Sequence, residues 1–276
     1  MKDFTVYINE KLKITKNISR QNKYNYYPKT KDELKELVNQ LIKERGNEAD
    51  LNDIDTSAIT DMSELFMYSK FNGDISEWNV SAVENMSGMF YSSKFDGDIS
   101  KWNISNVENM HGTFCYGNFN GDISKWNVGK VTNMNSMFWS SEFTGENGDI
   151  SEWNVRKVEN MSSMFHDSKF NGDISNWDVS SVTDMTNMFQ GSKFNNDISK
   201  WNVRKVTDMA AMFYDSKFNC DISKWDVSNV ENMSWMFAMS DFNRDISKWN
   251  VRKVTKMDGV FDSCLIKDEY KPKFNK

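Results

Sequence analysis

Apolar and polar residues follow a pattern that returns every 24 residues from about residue 50 onward. The pattern is D-I-S-x-W-N-V-x-x-V-x-x-M-x-x-M-F-x-x-S-x-F-N-x, and its clear copies begin at Asp74, Asp98, Asp122, Asp149, Asp173, Asp197, Asp221 and Asp245. A weaker first copy begins at Asp50. Self-similarity at such a period is typical of repeat proteins, in which each unit packs mainly on its neighbours. The sequence therefore predicts nine stacked units.

Each unit divides into two halves with different spacing. In the copy that begins at Asp74, the apolar residues within 83–90 fall at i, i+3, i+6 and i+7, which is the spacing of one helical face. Residues 74–80 instead have the spacing of a short extended segment between turn formers. We therefore predict an α/β repeat solenoid in which each unit supplies one short parallel strand and one short helix.

A further helix is predicted ahead of the repeats, at about residues 30–45. Thr30 and Glu33 have the spacing of a capping box. The apolar stripe of this helix is Leu34, Leu37, Val38, Leu41 and Ile42. The predicted organisation is an N-terminal cap at 1–49, a nine-unit solenoid at 50–265 and a tail at 266–276. We expect the aromatic and basic residues 1–27 to add a strand or two to the cap.

The repeat resembles that of the BspA-like leucine-rich-repeat surface proteins, a bacterial family with scattered viral and protist members. Residues 27–37 and 51–63 also resemble the sequence patterns of that family, and the resemblance covers roughly residues 26–274. It implies a leucine-rich-repeat-like right-handed coil. Some relatives are adhesins or host-binding surface proteins, so it also implies a place at the cell surface.

The overall composition limits the classes of function that the chain can have. The chain has 34 basic and 40 acidic residues, mixed along its length, and a net charge of -6. The absence of a basic block argues against nucleic-acid binding. No apolar run reaches the length of a membrane span, and the first residues have no apolar run of secretory length. The start of the sequence therefore predicts a cytoplasmic protein, whereas the resemblance predicts a surface protein.

The sequence offers little for catalysis or for a cofactor. Its histidines, His111 and His166, accompany no nucleophile motif, and no phosphate-binding glycine loop is present. The cysteines Cys115, Cys220 and Cys264 are odd in number and occupy different repeat positions, which predicts reduced thiols and leaves a single disulfide open. We predict no enzymatic activity, no cofactor and no metal site.

Two rows of repeated residues have both a structural and a functional interpretation. The aspartates that begin the units could bind cations in a row, or each could accept backbone N–H bonds in its own turn, which is the interpretation we favour. The repeated tryptophans could stack on sugar rings or be buried in the core, and we again favour the structural interpretation. These tryptophans are Trp78, Trp102, Trp126, Trp153, Trp177, Trp201, Trp225 and Trp249.

The departures from the repeat are the candidate binding residues. The residue after each Met-Phe pair varies, and variation at a fixed structural position is typical of binding surfaces on repeat proteins. Aromatic side chains often anchor such interfaces. The predicted partner-binding residues are Tyr91, Tyr116, Trp139, His166, Tyr214 and Trp235. The single insertion, Thr144, Gly145, Glu146 and Asn147, is either a contact site near Trp139 or neutral drift.

The leading functional hypothesis is a non-catalytic, monomeric interaction module that binds a protein partner, adhesin-like by its resemblance. An alternative is an intracellular antagonist, such as a phage or mobile-element product, that binds and occludes a host protein. A second alternative is a carbohydrate-binding solenoid that uses the repeated tryptophans.

Overall fold

The computed structural model describes residues 23–274, in which helix α1 spans Lys31–Arg45. The hydroxyl of Thr30 accepts the N–H of Glu33 at 3.2 Å. The carboxylate of Glu33 accepts the N–H of Lys29 at 2.7 Å. Both bonds satisfy N–H groups that have no partner inside the helix. The helix predicted from the capping-box spacing is therefore present.

Helix α1 covers the first repeat unit. Its buried residues are Leu34, Leu37, Val38 and Leu41, which join the same apolar core as the repeats. At its ends, Lys35 Nζ donates to the carbonyl of Glu64 at 3.2 Å, and Arg45 donates to the carboxylate of Asp53 at 3.0 Å. An apolar face and polar ends thus fix α1 across the beginning of the repeats. Cap strands are predicted within residues 1–27, of which 1–22 lie outside the described residues; in 23–27, Tyr26 makes a single parallel bridge to Ile54.

The α/β solenoid and the leucine-rich-repeat-like coil predicted from the sequence are wrong. Within residues 23–274 the repeat units contain neither an α-helix nor a β-strand, only turns and isolated β-bridges. Where the helix is predicted, the N–H groups of Met89, Tyr91 and Ser93 donate to carbonyls three residues back at 3.0–3.1 Å. Gly88 and Ser92 between them have left-handed φ values of 60° and 50°. Left-handed residues interrupt an α-helix, and a chain of turns produces the same apolar spacing.

The remaining N–H groups of this stretch bind the next unit. We call residues 85–92, and the equivalent residues of the other units, the turn segment. The N–H groups of Met86, Gly88, Phe90 and Ser92 donate to carbonyls of the following turn segment at 2.7–2.9 Å. One parallel bridge per junction, such as Asn85 to Asn109, accompanies them. Pairing between units therefore lies mainly in the second half of the repeat, whereas the sequence interpretation placed it in the first half.

Short polar side chains bend each unit at its corners. In the unit that begins at Asp74, the side-chain oxygens of Asp74, Asn79 and Asn85 each accept the N–H two residues further on, at 2.9–3.1 Å. Asp and Asn favour turns because their side chains replace a backbone acceptor in this way. Three such corners fold the unit back on itself without strands or helices.

The core is a continuous set of aromatic stacks. Phe66, Phe90 and Phe114 lie parallel with ring centroids 5.5–5.6 Å apart. The eight repeated tryptophans are only 3–6 % exposed. Each of their indole N–H groups donates to the carbonyl of the preceding unit's Ile position at 2.9–3.2 Å. The preference for a buried tryptophan row is thus confirmed, and the row has no open face for a sugar.

The tail begins by continuing the stack. Ile266 is buried, and the carbonyl of Tyr270 accepts the N–H of Ile246 at 3.0 Å. A short 3-10 helix spans Asp268–Tyr270. None of the helices in the described residues is long and apolar enough to cross a membrane.

Candidate functional site

Five aromatic side chains form a continuous row along the turn segments of successive units. This aromatic row consists of Tyr68, Tyr91, Tyr116, Trp139 and His166. Their ring centroids are separated in turn by 5.4, 5.7, 5.2 and 4.8 Å. The first two pairs meet edge to face and the last pair is stacked. Four of the sequence-predicted residues are therefore brought together.

Tyr68 belongs to the row although sequence reasoning missed it. It lies two residues after the Met-Phe position, as Tyr116 does, whereas Tyr91, Trp139 and His166 lie one residue after it. The two positions are adjacent on the same surface, so their rings interleave. A search for aromatic residues at both positions would have found Tyr68.

Tyr68 and Tyr116 occupy backbone positions that disfavour bulky residues. Their φ values are 58° and 54°, and their side chains are 69 % and 42 % exposed. Other units place Ser92, Ser140 or Gly191 at this position. Left-handed backbone costs roughly 1–2 kcal/mol for a residue with a Cβ. Serine in the same conformation shares this backbone cost, so the two tyrosines are set apart by the aromatic surface that they expose.

The surface around the row is uncharged in its central part. The turn segments 85–92, 109–116 and 133–140 contain no Asp, Glu, Lys or Arg. Besides the aromatic residues they present serine, glycine, asparagine and His111. Charge returns at both ends of the row, with Glu64 in the first unit and Asp167 in the fifth.

The stacked end of the row holds two polar atoms without a partner. Trp139 Nε1 and His166 Nδ1 are buried and have no hydrogen bond within the described residues. Burial lowers the pKa of His166, and the carboxylate of Asp167, 3.3 Å from His166 Nε2, acts in the opposite direction. Burial dominates, so the imidazole on Trp139 is held in its neutral form.

The other two predicted residues lie in a separate patch. Tyr214 Oη donates to Met239 Sδ at 3.1 Å. Trp235 has a φ of 62°, and its ring lies over Gly259, where a Cβ would come within 2.5 Å of it. Met239, which sequence reasoning missed, has a φ of 59° and is 52 % exposed. We call Tyr214, Trp235 and Met239 the C-terminal patch.

The insertion at residues 144–147 packs on the corner that follows Phe143. The N–H of Thr144 and the side-chain amide of Asn147 both bind Asn120 at 3.0 Å. Gly145 has a φ of 83° and lies where a Cβ would be 2.8 Å from the ring of Phe170. Among the described residues no hydrogen bond joins this loop to the aromatic row.

The aspartates that begin the units serve the turns. Each accepts the N–H of the serine two residues on at 2.8–3.0 Å, which confirms the turn-acceptor interpretation. The pKa of Asp74 is lowered chiefly by the N–H of Ser76. In residues 23–274 no cluster of three or more acidic, histidine or cysteine side chains is arranged to hold a metal ion. Burial raises the pKa of the Cys115 thiol to about 12, which keeps it protonated and unreactive.

Comparison with known proteins gives a family without an assigned activity. A family model described as "Mycoplasma protein of unknown function, DUF285" matches residues 33–144, 115–217, 138–239 and 168–271. No curated protein and no solved structure matches the chain. The matches overlap, and together they span residues 33–271.

Proposed function

The chain belongs to the DUF285 family of repeat proteins, and from this premise we propose that it is a non-catalytic binding module that recognises a protein partner through the aromatic row. The observation that carries the proposal is the exposure of Tyr68 and Tyr116 in left-handed turn positions. A stable repeat is obtained with serine or glycine there. Strained residues with exposed apolar surface favour a contact that lies outside the chain.

The composition of the row favours a protein as the partner. Tyrosine and tryptophan supply large contact area with few rotatable bonds, and serine, glycine and asparagine supply adaptable hydrogen bonds. The uncharged segments 85–92, 109–116 and 133–140 combine these residue types. Interface centres are likewise depleted of charge and enriched in aromatic residues.

The ring geometry argues against a sugar as the ligand. A sugar ring stacks on an open aromatic face, but Tyr68, Tyr91 and Tyr116 pack edge to face. One face of Trp139 is covered by His166 with 8° between the ring planes. Neighbouring rings therefore cover part of the aromatic faces in the row, which suits contact with a protein surface better than stacking on a sugar.

The test is capture of partners by the full chain and by matched variants. Tyr68→Ser/Tyr116→Ser replaces both strained tyrosines by the residue found in equivalent positions of other units. We expect this variant to fold, with a melting temperature close to that of the wild type, because serine occupies the same position in other units. We also expect capture of specific proteins from extracts, quantified by mass spectrometry, to fall about tenfold or more, because anchor residues dominate binding.

The control variant is Lys101→Ser/Lys125→Ser, which changes two exposed side chains outside the turn segments. It should capture the same proteins as the wild type. An unchanged capture profile for the tyrosine variant would overturn the proposal. Loss of folding in that variant would show that the tyrosines stabilise the fold, and would also contradict it.

We propose the cell surface as the location of this binding, as in the adhesins that the repeat resembles. The alternative is an antagonist that binds a host protein inside the cell. Protease treatment of intact cells separates the two. A surface protein is degraded in intact cells, whereas an internal antagonist is degraded after lysis alone.

A further inference from the structure

Eight junctions between repeat units use one hydrogen-bond pattern. At each junction four N–H groups of one turn segment donate to carbonyls of the next turn segment. At the last junction the donors are Met233, Trp235, Phe237 and Met239, with distances of 2.8–2.9 Å. Each turn segment therefore has a donor edge and a carbonyl edge.

The last turn segment, residues 256–263, has a donor edge without a partner among the described residues. Its equivalent N–H groups belong to Met257, Gly259, Phe261 and Ser263, and in residues 23–274 none of them makes a hydrogen bond. We call these four groups the C-terminal edge. The tail that follows pairs with the other half of the unit, where the carbonyl of Tyr270 accepts the N–H of Ile246. It also reaches Phe261, whose ring centroid lies 6.4 Å from that of Phe274. The tail thus covers one half of this end and the Phe261 ring, but its described residues pair with none of the four N–H groups.

Exposed apolar side chains concentrate at the same end. Six large apolar residues are exposed among the described residues, and four of them lie in the last two units. These four are Trp235, Met239, Met257 and Leu265, with exposed fractions of 46, 52, 36 and 65 %. Trp235 and Met239 stay exposed although they belong to the last formed junction, so the apolar surface of the terminal unit itself is that of Met257 and Leu265.

A second copy of this chain does not supply the missing acceptors. Two C-terminal edges would face each other with donors alone, so they cannot pair. The carbonyl edge of the first unit, formed by Asp61, Ser63, Leu65 and Met67, lies next to α1: Lys31 donates to the hydroxyl of Ser63, and Ser63 and Leu65 are only 6 and 4 % exposed. The acceptor must come from a chain whose carbonyl edge is uncovered.

We propose that the C-terminal edge binds the carbonyl edge of a turn segment in another protein that carries the same repeat. The eight interior junctions show the geometry of this contact, with four N–H to carbonyl bonds and apolar contact beside them. Pairing through a free edge is a general mode of protein recognition. This contact is independent of the aromatic row.

The test measures amide hydrogen exchange at single residues in the full chain. In the free protein we expect the C-terminal edge to exchange about 100-fold faster than Met233, Trp235, Phe237 and Met239, because unpaired amides are unprotected. The probe is a synthetic peptide with the sequence of residues 229–252, which includes one complete turn segment. At millimolar concentration it should slow exchange at the C-terminal edge about tenfold.

Matched peptides and variants make the result decisive. A scrambled peptide should leave exchange unchanged. Met257→Asp/Leu265→Asp, at exposed positions, should abolish the protection, whereas Tyr68→Asp at the other end should retain it. Two results would overturn the proposal: edge amides already as slow as interior ones in the free protein, or no protection by the peptide.

Discussion

The rings of Trp139 and His166 stack with centroids 4.8 Å apart and 8° between their planes. Each ring has a buried nitrogen without a partner among the described residues. A charged imidazole in this place would lose hydration that the carboxylate of Asp167 replaces only in part, so burial lowers its pKa. The stacked end of the aromatic row is thus sensitive to the protonation of one side chain.

Asp167→Asn should lower the pKa of His166 further, because the carboxylate is the group that raises it. The folded pKa lies below the unfolded value of about 6.5. The stability linked to neutral His166 is therefore present above that value and is lost as pH falls toward the folded pKa. NMR titration of the imidazole signals measures the change, with His166→Gln to assign the signal. A higher pKa in Asp167→Asn would contradict the assignment.

Tyr68→Gly and Tyr91→Gly should have opposite effects on stability. Tyr68 has a left-handed φ and is 69 % exposed, so glycine relieves strain and removes little packing. We expect its free energy of unfolding to stay level or rise by up to about 1 kcal/mol. Tyr91 is half-buried between two rings, and its glycine variant should lose roughly 1–2 kcal/mol. Urea denaturation measures the free energy of unfolding of both variants. A larger loss in Tyr68→Gly than in Tyr91→Gly would contradict the strain argument.

The sequence specified the period, the core positions and the first helix, but not the local conformation of the units. Apolar residues at i, i+3, i+6 and i+7 lie on one face of a helix. A series of three-residue turns places residues at this spacing on one side of the chain equally well. The distinguishing signal is weak, because the left-handed positions hold Gly88 in one unit and Ser136 or Asn187 in others. Stronger evidence lay in Asp and Asn placed two residues before serine, which indicates turns at every corner.

The candidate site was also only partly predictable from the sequence, because the local conformation decides which positions share a surface. Variation after the Met-Phe pair indicated the surface on which the aromatic row lies, and the neighbouring left-handed position belongs to that surface as well. Tyr68 and Met239 occupy that position and were missed. Which predicted residues touch depends on the stacking of units, and this separates Tyr214 and Trp235 from the aromatic row.

Trp153→Phe should destabilise the protein far more than Trp235→Phe. Trp153 is buried, and its Nε1 donates to the carbonyl of Ile123 at 3.2 Å. Phenylalanine would remove that bond, leaving the carbonyl only the N–H of Trp126, and would leave a void in the core, at a cost of about 2–4 kcal/mol. Trp235 is 46 % exposed, so its variant should change stability by less than about 1 kcal/mol. Equal losses in urea denaturation would contradict the division between core and surface tryptophans.

Acid should unfold the protein through the aspartates of the corners. The pKa values of Asp122, Asp173 and Asp197 are lowered chiefly by the backbone N–H of the serine two residues on. Folded values below the unfolded value of about 3.9 mean that this stability is present above pH 3.9 and is lost as pH falls through the folded pKa. The melting temperature should therefore hold between about pH 7 and 5 and fall steeply below about pH 4.

The matched variant replaces all three aspartates by asparagine. Asparagine keeps the side-chain acceptor, as Asn79 does for the N–H of Ser81 at 3.1 Å, but it does not titrate. The triple variant should melt near the wild-type temperature at neutral pH and lose less stability on acidification. The same acid profile in both proteins would show that other carboxylates control acid unfolding, whereas a large loss at neutral pH would show that the charge itself is required in the turn.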